Sequence, residues 1–230
     1  MDLTTLEIIL EIKFNDKQLL RQALTHRSYL NESLNKKITS NERLEFLGDA
    51  VLSIIVSNFL YQKFDRLPEG DLTNFRASLV KTQTLARISQ KLNLGEYLLL
   101  SRGEEEEGGR NNQGILADAF EALIGAIFID SGLVVTTNFV TCHLIPVLPE
   151  IIKNKEFRDF KSLLQEKIQA EKKASPTYKV LKETGPDHQR VFMVGAFSDR
   201  KKLGTGSGHS KQEAEQEAAK AALEILVHIK

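Results

Sequence analysis

Five carboxylates stand in two short groups whose spacing could hold a metal ion. Glu42, Glu45 and Asp49 follow one another at i, i+3 and i+7, so on a helix they share one face, which Phe46, Ser53 and Val56 continue. Asp118 and Glu121 stand three apart in a second segment, on a face with Ala122, Gly125 and Ile129. Almost nothing else in that segment is charged before Asp130, so a buried helix is expected. On spacing alone, a solvated acidic face is the competing reading, because like charges three apart cost an exposed helix only about 0.2–0.5 kcal/mol. The apolar surroundings weigh against it. Desolvated carboxylates cannot all stay ionised together without a cation. If the two faces oppose each other, they form a pocket of hard oxygen ligands suited to Mg²⁺ or Mn²⁺. No cluster of His and Cys points to zinc, and no convincing Ser-His-Asp or Cys-His arrangement offers a nucleophile.

The elements that must carry these groups are helical. Leu6–Ile12 and Lys17–Thr25 have helical spacing, and Ser40 or Asn41 can cap a long helix to about Phe64. Leu67-Pro68-Glu69-Gly70 reads as a turn, followed by one helix from Asp71 to about Ser89. Gly103–Gln113 reads as a loop containing four glutamates, Glu104 to Glu107. The apolar helix follows from about Ile115 to Ile129, with Gly132 as its stop, and a further helix covers Val134–Leu144. Pro146 and Pro149 break the pattern, and Ile151–Glu156 looks like a linker.

Beyond it the pattern changes. Phe157–Lys173 is helical, Thr177–Glu183 and Arg190–Ser198 alternate like strands around a turn at Gly185-Pro186-Asp187-His188, and Lys201–Gly206 suits a third strand. Ser210 caps a last helix to about Val227. Charge divides with the pattern. The whole chain is neutral, with 31 basic and 31 acidic residues, yet residues 1–154 carry a net charge of −4 and residues 155–230 one of +4. An acidic body with a basic tail suits a cation in the body and nucleic acid at the tail. The single cysteine, Cys142, excludes an internal disulfide and fits a reducing cytosol. Met1-Asp2-Leu3 does not open a secretory signal, and the apolar stretch Ala50–Leu60 is too short and polar to span a bilayer.

The wording around the carboxylates resembles the bacterial ribonuclease III family. The segments are Asn41-Glu42-Arg43-Leu44-Glu45-Phe46-Leu47-Gly48-Asp49-Ala50, Thr25-His26-Arg27-Ser28, Pro68-Glu69-Gly70-Asp71 and Leu116-Ala117-Asp118-Ala119-Phe120-Glu121-Ala122-Leu123-Ile124-Gly125. Residues 159–226 resemble the double-stranded-RNA-binding domain. The resemblance implies an all-α endonuclease domain over residues 1–152, a linker over 153–158, and an α+β domain of order α-β-β-β-α over 159–228. It implies an endoribonuclease that cuts both strands of double-stranded RNA by metal-ion catalysis, leaving 5′-phosphate and 3′-hydroxyl ends with a short 3′ overhang. Processing of ribosomal RNA precursors and messenger RNA in the cytoplasm would follow.

Residue by residue, the resemblance puts Glu45, Asp49, Asp118 and Glu121 on the ligands of Mg²⁺, two ions per site with Mn²⁺ as substitute, and makes Asp49 and Glu121 catalytic. Glu42 and Glu69 become supporting acids, and Phe46 the aromatic that plugs into a partner subunit of a homodimer. It puts Gln165 and Glu166 on one RNA minor groove, Pro186 and His188 on the next, and Ser210 and Lys211 on the phosphates between. Neither a nucleotide cofactor nor a membrane is implied. Two departures stand out: the acidic run Glu104–Glu107, and Gln212 and Glu215 where related domains often carry lysine. Simpler roles are expected elsewhere: an ion pair for Arg43, packing or capping for His26, and core packing for Cys142 and His143. The alternative function is a non-catalytic RNA-binding protein on the same fold, which loss of the carboxylates would mark; none is lost.

Overall fold

The computed structural model describes residues 2–32, 38–154, 160–172, 175–185, 190–199 and 201–228. The chain divides into two compact units, residues 1–157 and 158–230.

The first unit is helical: α1 (Leu3–Leu10), α2 (Lys17–Ala23), α3 (Glu42–Lys63), α4 (Glu69–Val80), α5 (Thr82–Lys91), α6 (Arg102–Glu106), α7 (Gln113–His143) and α8 (Leu148–Asn154). Its core centres on α3 and α7. Leu52, Val56, Phe120, Leu123 and Ile127 are almost fully buried there, and burial of each such side chain contributes about 1.5–3 kcal/mol. By length and composition alone, α3 and the stretch Gln113–Asn154 could cross a membrane, but here both bury side chains in this core.

Several elements differ from the sequence expectation. Helices α4 and α5 replace a single helix, because Lys81 is extended (φ −65°, ψ 147°). No Gly or Pro marks the break. Thr84 donates its hydroxyl to the Ser78 carbonyl at 2.8 Å, and Leu79 and Leu85, which an unbroken helix would turn about 120° apart, are both fully buried. The expected loop at 103–113 contains α6, because Ser101 Oγ accepts from the Glu104 amide (3.3 Å) and glutamates favour a first helical turn. The expected linker is helical as far as Asn154. Pro149 is tolerated in the first turn of α8, and Ile151 is buried in the core. Gly132 acts as expected, taking φ 78° and breaking α7 where a side chain would be strained. At that break the Asp130 carboxylate accepts from the backbone amides of Asn15 and Asp16, so α2 and α7 are tied together.

The second unit is α9 (Phe160–Lys172), β1 (Thr177–Thr184), β2 (Val191–Ser198), β3 (Lys201–Gly208) and α10 (Lys211–His228). The strands form one antiparallel sheet in the order β1-β2-β3. Leu164 and Ile168 of α9, Val194 and Ala196 of β2, and Ala214, Ala218 and Ala222 of α10 make its core. Gly204, Gly206 and Gly208 let β3 touch the α10 backbone, since a Cβ on any of them would overlap that helix.

Candidate active site

Two glycines let the acidic faces meet. A Cβ on Gly48 would overlap the backbone carbonyl of Glu121, and one on Gly125 would overlap that of Leu44. Helices α3 and α7 therefore cross at backbone contact, with Glu45 on one and Asp118 and Glu121 on the other. One carboxylate oxygen from each of these three residues lies within 4.8 Å of the other two. All three residues are half-buried. Among the described residues, none of the three accepts a hydrogen bond or forms an ion pair.

The electrostatics follow from that crowding. Burial pushes the Glu121 carboxyl up to about 7, and repulsion from Asp49, Asp118 and Glu45 adds to it. Glu45 is raised by burial and then by Asp118, Glu42 and Asp49. Asp118 is raised by burial, against which the positive charges of His26 and Arg27 act. Three desolvated carboxylates with no ion-pair partner among the described residues fit a divalent metal, which would satisfy all three with hard oxygen contacts.

The other expected members of the site differ in position. Asp49 is exposed; its charge acts on Glu45 and Glu121, but its oxygens lie outside the close trio. The predicted α3 face is thus uneven, running from half-buried Glu45 through exposed Asp49 to fully buried Val56. Glu42 is exposed and accepts from the Ser40 hydroxyl at 2.8 Å. Glu69 opens α4 and accepts from the Thr73 hydroxyl at 3.1 Å. Phe46 is 82% exposed.

Asn41 does not cap α3 with its side chain. It is buried, its amide donates to the Thr25 carbonyl (2.8 Å), and its side chain reaches the Ala23 carbonyl (3.4 Å). This anchors the start of α3 to α2. Arg43 is exposed and forms no ion pair among the described residues, because it points to solvent from the first turn of α3. His26 does cap: its Nδ1 faces the Ser28 hydroxyl at 2.8 Å and accepts from the Ser28 amide at 3.3 Å. Cys142 is exposed, contrary to expectation, while His143 packs against Phe139 with ring centres 4.5 Å apart and planes tilted by 48°. The adjacent helix positions point in different directions, so only one of the pair can pack inward.

Sequence reasoning missed Gly48 as a packing residue and Arg110 as an organiser. Arg110 donates to the carbonyls of Gly95 (2.8 Å), Glu96 (3.3 Å) and Leu98 (3.1 Å) and pairs with Glu105 (2.7 Å). Two residues on, the Asn112 side chain accepts from the amides of Gly114 and Ile115 and starts α7. Arg110 thus fixes the entry to the helix that carries Asp118 and Glu121. The signal was Gly-Gly-Arg just before an Asn cap.

In the second unit, Gln165 and Glu166 are exposed on α9, Glu166 opposite the buried Leu164 and Ile168 and Gln165 at the flank of that face. Ser210 caps α10 by accepting from the Glu213 amide (3.1 Å), and Lys211 lies over the Phe192 ring (5.6 Å). Glu215 pairs with Lys161 at 2.6 Å. Its charge is therefore neutralised within the domain. Pro186 and His188 lie outside the described residues.

A helical domain presenting a half-buried carboxylate trio suited to a divalent metal is followed by an α-β-β-β-α module. Comparison places the chain more closely. A family profile described as Ribonuclease-III-like matches residues 16–148, and a double-stranded RNA binding motif matches residues 160–226. The chain is similar to Ribonuclease 3 of Borreliella afzelii, 46% identical over 220 residues that cover 96% of this chain and 89% of that one. It is also similar to Ribonuclease 3 of Roseiflexus, 45% identical over 223 residues covering 94% and 92%. A solved nuclease domain of ribonuclease III from Campylobacter jejuni, described as flexible in a region involved in dimer formation, superimposes with a TM-score of 0.59 at 42% identity. It covers 64% of this chain and 99% of that one. The chain belongs to the ribonuclease III family and is a double-stranded-RNA endoribonuclease.

Proposed function

We propose that this chain cuts both strands of double-stranded RNA at the carboxylate trio, leaving 5′-phosphate and 3′-hydroxyl ends with a short 3′ overhang. The observation that carries the reading is the convergence of Glu45, Asp118 and Glu121 within 4.8 Å, half-buried and unpaired. These three residues and Asp49 would hold Mg²⁺, two ions per site, with Mn²⁺ as a substitute. Bound divalent cations supply a nucleophilic hydroxide from water and stabilise charge on the departing 3′-oxygen.

The residues of this chain prepare the site. Burial and the neighbouring carboxylates favour the protonated form of Glu121 while the trio is alone, and arriving positive charge would favour the ionised form. Glu45 and Asp118 face it from two helices locked at the Gly48–Gly125 crossing, which fixes the ligand spacing before RNA binds. Glu42 lines the cavity beside the trio and supports the site there, whereas the supporting role of Glu69, which lies past the opposite end of α3 from Glu45, rests on the family resemblance alone.

The proposal extends to assembly and tethering. Phe46, Ile54 and Tyr61 are exposed by 82%, 62% and 76% and fall on one stripe of α3. A second copy of the chain covers that stripe in a homodimer with one trio per subunit. Gln165 and Glu166 meet an RNA minor groove, and Ser210 and Lys211 meet phosphate near the start of α10. The proposed domains span 1–152 and 159–228, and the cellular role is processing of ribosomal and messenger RNA in the cytoplasm. The test is incubation with an RNA duplex with and without Mg²⁺, followed by analysis of the ends. Metal-dependent products with 5′-phosphates and 3′ overhangs support the reading, and single-strand nicks or metal-free cutting oppose it.

A further inference from the structure

A cavity of about 540 Å³ opens beside the trio, lined by the carboxylates Glu42, Glu45, Glu104 and Asp118 and by His26 and Arg27. It contains more than the metal reading uses. Arg27 is exposed at its mouth and, among the described residues, forms no ion pair, although four carboxylates line the same cavity. A guanidinium beside four acids that pairs with none of them lies more than 4 Å from every one of their oxygens.

The segment that carries Arg27 is firmly mounted. Thr25 is fully buried and bridges Leu99, and the His26 amide donates to the Leu99 carbonyl at 3.1 Å. The Ser28 hydroxyl accepts from the Ser101 amide at 3.0 Å, and Glu32 accepts from the Arg102 amide at 2.9 Å. The His26 ring is committed to Ser28 through Nδ1, leaving Nε2 without a partner among the described residues. The base of the Arg27 side chain is held by this network, while its charged end is left available.

We propose that Arg27 is a substrate-positioning residue that binds the backbone phosphate flanking the scissile one on the strand being cut. The inference rests on RNA being cut at the trio. An RNA strand entering an acidic cavity is repelled along its whole backbone, and a metal at the trio offsets that repulsion only at the scissile phosphate. A planar guanidinium offset from the trio matches two oxygens of the neighbouring phosphate. His26, which lines the same cavity, would add a hydrogen bond from Nε2 to the same phosphate.

The test uses the full chain and a short RNA duplex with one cut site. Arg27→Ala should lower kcat/KM by about 10- to 100-fold, the worth of a charge-assisted hydrogen bond, with an unchanged melting temperature. It should also reduce the log–log salt slope of binding by about one unit, and Arg27→Lys should restore that slope. A scan with single neutral methylphosphonates should show wild type losing rate when a phosphate flanking the cut is neutralised, with Arg27→Ala losing nothing further at that position. Losses that multiply at every position, or wild-type kinetics and salt slope in Arg27→Ala, would overturn the proposal. Failure of the trio reading has a different signature, full cutting by Glu121→Gln.

Discussion

Gly48 and Gly125 meet backbone to backbone where α3 crosses α7: a Cβ on Gly48 would lie 3.0 Å from the Gly125 amide nitrogen, and one on Gly125 would lie 3.2 Å from that of Gly48. Neither glycine carries chemistry, yet together they set how closely Glu45 approaches Asp118 and Glu121. Gly125→Ala would press a methyl group on the Leu44 carbonyl and force the helices apart. Overpacking of this kind costs about 1–3 kcal/mol, and the separation of the ligands grows with it. The expected result is a melting temperature lowered by several degrees together with a loss of RNA cleavage that extra Mg²⁺ only partly restores. Unchanged melting and unchanged turnover would mean that the crossing does not set the site.

The second prediction concerns pH. Glu121 titrates at about 7 in the folded chain against an ordinary 4.5, because burial and three neighbouring carboxylates disfavour its charge. The folded state therefore binds more protons than the unfolded one between these values. Its contribution to stability is fully present below about pH 4.5 and is lost as pH rises through 7. Without metal, Glu121→Gln should be more stable than wild type at pH 7.5, by about 1–2 kcal/mol after allowance for solvent screening, and equal to it near pH 4.5. Mg²⁺ should stabilise wild type more than the variant at pH 7.5. Thermal unfolding with and without chelator reads both effects. Parallel pH profiles for the two proteins would remove Glu121 from the coupled cluster.

The fold was legible where its signals are local, and less so where they depend on tertiary contact. Helical periodicity marked α3, α7 and α10, Ser210 marked the start of α10, and alternation marked β1 and β2. Glu45, Asp118 and Glu121 were recoverable because the acids interrupt otherwise apolar faces. The break at Lys81 was not, because no breaker residue stands there and Leu79 and Leu85 impose it from the core. Nor was the pairing of Glu215 with Lys161, which joins residues far apart in sequence. Asp49 shares its sequence spacing with Glu45, yet only the packing of α7 shows that it stands outside the close trio.

Assembly gives the third prediction. Phe46, Ile54 and Tyr61 expose a long apolar stripe on α3 that an isolated subunit would leave in water. Sedimentation should give a dimer at micromolar concentration. Phe46→Asp should shift it toward monomer without unfolding it, since Phe46 buries little within its own chain. A wild-type monomer under those conditions would contradict the proposed homodimer.

The fourth prediction addresses the RNA-binding tail. Gln212 is exposed beside the α10 cap, whereas Glu215 is occupied by Lys161. Gln212→Lys should tighten duplex RNA binding and steepen its log–log salt dependence by about one unit, with little change in cut position. Lys211→Ala should act in the opposite direction. If neither substitution alters affinity or slope, the start of α10 does not face phosphate.

Whether RNA is cut at the trio is tested by single-turnover cleavage of an RNA duplex by Glu121→Gln across a Mg²⁺ titration, with RNA binding measured in parallel. The substitution keeps the shape of the side chain and removes one negative ligand from the trio at the α3–α7 crossing. Duplex RNA should bind as tightly as to wild type while cleavage falls by at least about 100-fold, roughly the cost of one lost transition-state interaction, even at saturating Mg²⁺. Near-normal cleavage by Glu121→Gln at ordinary Mg²⁺ would contradict this, because the trio would then not be the site where the RNA strand is cut.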